Sequence, residues 1–184
     1  MTHLRVSAIG VALAIAATAC ATDFDPTQTQ PEDQFTLAVP PTLGGLNVKF
    51  SGKATRRVMN EVEGSSAYVR DASVFELRSG EELRAVFQVL RMTPDARTDE
   101  VEFRRQVAQQ ISGSSRAPEN VGGIAVFKAS RNQQAIHTWF DGKFMQILIV
   151  REIVPAGGAP LDVERLLHEA LALEPVPHNA LSTT

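Results

Sequence analysis

Cysteine is nearly missing: Cys20 is the single one in 184 residues, so no disulfide can form within the chain. Any stability must come from burial rather than covalent staples. Charge of one sign is also lacking, since the formal net charge is -3 and the isoelectric point is near 5.8. No global field favours nucleic acid or an anionic membrane surface. Lysine occurs only at Lys49, Lys53, Lys128 and Lys143, and arginine supplies the other positive charges without forming a sequence cluster. The adjacent pairs Arg56-Arg57 and Arg104-Arg105 cannot share a helix face and read as solvated surface.

Catalytic signatures are absent as well: there is no G-x-S-x-G elbow, no G-x-G-x-x-G and no H-E-x-x-H. Gly52-Lys53-Ala54-Thr55 imitates the end of a phosphate loop, but Asn47 stands where the first glycine is needed and the hydroxyl comes one place late. Of the histidines, His3 lies in the leader, His168 near the end of the last expected helix and His178 in the tail; His137 is the fourth. None has metal-ligand spacing to another His, Cys or carboxylate, so no metal and no cofactor is expected.

The N-terminus supplies the clearest signal. Met1 to Arg5 is short and basic, and Val6 to Ala17 is uncharged and ends in small residues, as in a secretory leader. That stretch is shorter than the roughly 20 residues a membrane-spanning helix needs, and polar Thr22-Asp23 follows at once. Ala17-Thr18-Ala19-Cys20 resembles the lipobox of bacterial lipoproteins, with Ala17 where that family usually has Leu. The resemblance implies a signal peptide over 1–19 and a mature chain beginning at acylated Cys20, held by fatty acyl chains such as palmitate. The same residues satisfy a plain A-x-A cleavage site, which would release a soluble secreted protein.

Residues 20–34 are polar and proline-broken and read as a flexible tether, and 174–184 as a disordered tail. A single α+β domain is expected over 35–173: a mostly antiparallel sheet of about five to seven strands backed by two or three helices. Expected strands are Phe35 to Val39, Leu46 to Phe50, a hairpin of Tyr68 to Leu77 with Leu83 to Met92, then Ile124 to Ala129, Gln134 to Phe140 and Phe144 to Arg151. Thr55 to Glu63 reads as a short helix. Asp99 and Glu102 form a capping box for a helix carrying Phe103, Val107 and Ile111 and stopping at Gly113. A last helix starts near Leu161 and presents Val163, Leu166, Leu167 and Ala170 inward.

Asp141-Gly142 between two apolar strands predicts a two-residue type I′ turn, pairing Trp139 with Phe144 and His137 with Gln146. Alternation places His137, Trp139, Phe144 and Gln146 on one sheet face, and Ile136, Thr138, Phe140, Met145 and Ile147 on the other. The first set is the candidate ligand-contact group, an imidazole beside an indole. The competing reading packs it under a helix. The element order and the Trp139-Phe140-Asp141-Gly142 hairpin resemble small exported PsbP-like α+β lipoproteins, which implies a non-enzymatic envelope domain.

The expectation is therefore a non-catalytic binding or scaffolding module on the extracytoplasmic face of a membrane, attached by its N-terminal lipid. Its partner would be an envelope protein or an apolar ligand, and not nucleic acid. Rival readings are a carrier of an apolar molecule with Trp139 in its pocket, and a hydrolase joining His137 to Ser114 or Ser115.

Overall fold

The structure, a computed structural model, describes residues 39–63, 67–113, 117–152 and 160–173. Along the chain come β1 (Thr42–Leu43), β2 (Leu46–Phe50), α1 (Gly52–Glu63), β3 (Val69–Ser79), β4 (Glu82–Met92), α2 (Val101–Ser112), β5 (Glu119–Val121), β6 (Ile124–Arg131), β7 (Gln134–Asp141), β8 (Phe144–Arg151) and α3 (Val163–Leu171). The strands form one antiparallel sheet in the order β1-β2-β3-β4-β8-β7-β6-β5. The fold is thus α+β, as expected, with eight strands rather than five to seven. The additional ones are the two-residue β1 and three-residue β5, too short to show an alternating pattern.

Most of this order follows from tight turns. Two residues separate the closing pairs Leu43↔Leu46, Ser79↔Glu82, Val121↔Ile124, Arg131↔Gln134 and Asp141↔Phe144, so each strand folds back on its predecessor. The β7–β8 turn corrects the sequence-based register. Gly142 at φ +54° takes the first central position and Lys143 the second, so Trp139 pairs with Gln146 and His137 with Leu148. A turn with positive φ only at its first central residue puts its glycine there, and Asp141 becomes the closing strand residue. The shift of two leaves every side chain on its expected face.

The sheet is buried on both sides. On one, Leu166, Leu167 and Ala170 of α3 pack with Leu43, Phe75, Phe87, Trp139 and Leu148. On the other, Phe103, Val107 and Ala108 of α2 pack with Val86, Ile136, Phe140 and Ile147, and Val58 and Met59 of α1 join them. Central β8 is buried from Met145 to Val150 on both faces, as its unbroken apolar run requires. Two of the three helices also have a polar anchor. The Val74 amide donates to Thr55 Oγ1 at 3.1 Å, holding α1 to β3. The Gly44 amide donates to Glu169 Oε2 at 2.6 Å, holding the β1–β2 turn to α3.

Further differences from expectation are local. The N-cap of α2 is Glu100, without a side-chain cap hydrogen bond, so the Asp99 capping box does not form. Gly113 ends that helix in the left-handed conformation at φ +74°, as expected. α1 starts at Gly52 rather than Thr55, and α3 at Val163 with Asp162 Oδ1 accepting from the Arg165 amide at 3.0 Å. Val39 is outside any strand, and residues 35–38 of the expected first strand lie outside the described residues.

Candidate functional site

β7 and β8 place His137, Trp139 and Gln146 on the α3 side of the sheet, with half-buried Phe144 at the start of β8. His137 is 7% exposed, and Trp139 and Gln146 are 1% exposed each. The Trp139 ring stacks on Phe87 with centroids 5.9 Å apart and planes 16° from parallel. The expected group is therefore brought together, and it is closed over by its own packing.

Its polar atoms are unusual. His137 Nδ1 and Nε2, Trp139 Nε1 and Gln146 Oε1 are buried without a hydrogen-bond partner among the described residues. A general base needs an oriented imidazole, with one nitrogen held by a carboxylate or carbonyl and the other facing a nucleophile. Neither nitrogen of His137 has such a contact. Ser114 and Ser115, the nucleophiles of the hydrolase reading, lie outside the described residues. Among the described residues no group of three or more His, Cys, Asp or Glu side chains is placed to hold a metal.

Burial pushes the His137 imidazole below its ordinary value, Lys128 on the facing strand adds to that, and Glu119, paired with Lys128 at 2.6 Å, opposes it. The folded protein prefers the neutral ring. Its contribution to stability is therefore complete above the unfolded value of about 6.5, and is lost as pH falls from there toward the lowered folded value. Urea unfolding at neutral pH and near pH 5 is expected to show this loss. His137→Phe is expected to flatten it while changing neutral-pH stability by less than about 1.5 kcal/mol, because it also removes two unpartnered nitrogens. An unchanged pH dependence in the variant would show that another group causes it.

The opposite face of the sheet is less tightly closed. Ile147 and Ile149 of β8, Ile136 of β7 and Ile111 of α2 surround a cavity of about 20 Å³, with Gln88 of β4 beside it. Arg131, Asn132 and Gln134 of the β6–β7 turn line the same cavity. Asn132 and Gln133 both adopt positive φ, 51° and 59°, which gives that turn the type I′ shape and brings Arg131 directly opposite Gln134. The Gln88 side chain is 5% exposed, a buried polar group at the edge of this cavity.

Sequence reasoning missed this cleft. Ile136 and Ile147 were placed on this face by alternation, but the approach of Ile111 depends on how α2 crosses the sheet. A signal was available in the sequence: isoleucines two residues from arginine or glutamine at the ends of β7 and β8.

His168 is exposed in the last turn of α3, and His178 and Cys20 lie outside the described residues. Among the described residues no helix is long and apolar enough to cross a membrane. Comparison with known proteins brings no relative: no family profile, no curated protein and no solved structure matches the chain.

Proposed function

We propose that this chain is an extracytoplasmic lipoprotein, anchored to the cell membrane by acylated Cys20, whose domain is a non-catalytic binding or scaffolding module of the envelope. Support for the anchor is the secretory leader ending in Ala17-Thr18-Ala19 before the only cysteine. Several acyl chains, at roughly 0.8 kcal/mol per buried methylene, would hold the domain far more firmly than one chain.

The observation that carries the binding reading is the state of His137. The histidine best placed for chemistry is buried, and neither ring nitrogen meets a carboxylate or a nucleophile among the described residues. A group in that setting packs, and recognition falls to the surface and to the isoleucine cleft.

Fractionation of cells expressing the natural chain and Cys20→Ala tests the anchor. The natural chain is expected with the membranes and the variant is expected to be released; identical behaviour of the two would remove the anchor. An activity-based hydrolase probe tests the module, and it is expected to leave the pure protein unlabelled. Labelling that His137→Ala abolishes would establish the hydrolase reading instead.

A further inference from the structure

The cleft on the α2 side is lined at one end by Arg131 and Gln134, and Arg151 stands next to Gln134 in the sheet. In the sheet Arg131 pairs with Gln134, and Gln134 pairs with Arg151. The three residues therefore stand side by side on β6, β7 and β8. Ala129, Ile136 and Ile149 precede or follow them by two positions and belong to the core beneath α2. Alternation places Arg131, Gln134 and Arg151 on that same face. Neighbouring strands are about 4.8 Å apart, so the two arginine backbones lie roughly 10 Å from each other across Gln134.

Neither Arg131 nor Arg151 has a carboxylate at ion-pair distance among the described residues. Most other arginines of the fold do: Arg57, Arg78, Arg91, Arg97, Arg105 and Arg165 each meet an acidic side chain. Two unneutralised cations on one face repel, and an anion held between them removes the repulsion. A guanidinium matches a carboxylate with two parallel N–H bonds.

One register step inward the charged row gives way to core, with Ile136, Ile147 and Ile149 at most 7% exposed. Ile136 and Ile149, then Ile147 and Ile111, present hydrocarbon, and the enclosed space of about 20 Å³ admits a chain end but not a ring. We propose that this cleft binds a small amphiphile, an unbranched alkyl carboxylate, with the end of its chain in the space among the isoleucines and its carboxylate between Arg131 and Arg151. The inference rests on the binding-module reading and names the ligand of that module. The buried Gln88 amide marks the polar limit of the floor, beside Ile147 in the register.

Calorimetric titration of the full chain carrying Cys20→Ser tests it, because neither an acyl group nor detergent then competes. Octanoate is expected to bind with one site, octanol at least tenfold more weakly, and inorganic phosphate more weakly still. Arg131→Gln and Arg151→Gln are each expected to weaken octanoate about tenfold, the effect of one charged hydrogen-bonded contact. Ile111→Ser is expected to weaken octanoate while leaving any phosphate binding unchanged. Arg165→Gln, on the opposite face of the sheet, is expected to change nothing. Circular dichroism of each variant confirms that it folds. No heat with octanoate, or equal binding by the Arg131→Gln, Arg151→Gln double variant, would overturn the proposal; phosphate binding as tight as octanoate would overturn its apolar half. Loss of membrane attachment in the fractionation experiment bears on the anchor alone and leaves this result standing.

Discussion

Trp139→Ala is expected to lower the unfolding free energy by about 3–5 kcal/mol, the usual cost of emptying a fully buried aromatic site. Trp139 is 1% exposed on the central strand β7 and stacks on Phe87 of β4, so its ring joins strands separated by β8. Its neighbours belong to one packed cluster with α3 and cannot collapse into the space without moving the sheet. Trp139→Phe should cost much less. It keeps most of the ring and deletes the indole N–H, which has no partner to lose. Urea denaturation of both variants checks the pair. A loss below about 1.5 kcal/mol for Trp139→Ala would mean that the site behaves like a loosely filled pocket rather than core.

The second large effect is expected at Gly44. Its φ is +57°, and a Cβ there would lie 2.8 Å from Leu166 Cβ and 3.0 Å from Leu166 Cα. Leu166 is fully buried on α3, so the helix itself would have to move. Strain of the left-handed backbone and the steric conflict together put Gly44→Ala at about 2–5 kcal/mol. Gly45→Ala separates the two causes. That residue also has positive φ, +76°, but a Cβ there would meet nothing within 4 Å, so only backbone strain of about 1–2 kcal/mol applies. Equal losses at both positions would show that α3 does not sit against the β1–β2 turn.

Glu169 reinforces that junction. The Gly44 amide first, and Arg165 second, hold its carboxyl below the ordinary carboxylate range. The stabilisation is present at neutral pH and is lost as pH falls through the lowered value. In an acid titration this loss comes at lower pH than that of His137, whose window opens near 6.5.

The parts of the fold legible in the sequence are those set by local rules. The stripe of Leu166, Leu167 and Ala170 has helical spacing and is what α3 buries. Gly113 ends α2 because the left-handed stop suits glycine. Side-chain facing in β7 and β8 was readable despite a wrong register, because a slip of two residues preserves alternation while a slip of one would reverse it. Gly142 could serve as the first or second central residue of its turn, and the dipeptide Asp141-Gly142 alone favours the second. The same limit hid β1 and β5, which exist only through their partners.

The candidate site divides in the same way. Gathering of His137, Trp139 and Gln146 on one face followed from period-two alternation alone. Whether that face was open depended on packing, and it is closed. The isoleucine cleft needed the three-dimensional path of α2, and the Arg131–Gln134–Arg151 row needed two strand registers at once. A linear sequence with no arginine cluster can still assemble one across a sheet.

The division between a closed face and a binding face is tested most directly by NMR with octanoate, following the single indole N–H of Trp139 and the methyl groups of the isoleucines. Saturating octanoate is expected to shift Ile111, Ile136, Ile147 and Ile149 and to leave the Trp139 indole unmoved. A shift of the Trp139 indole with unmoved isoleucines would place the ligand on the α3 side of the sheet and contradict the account.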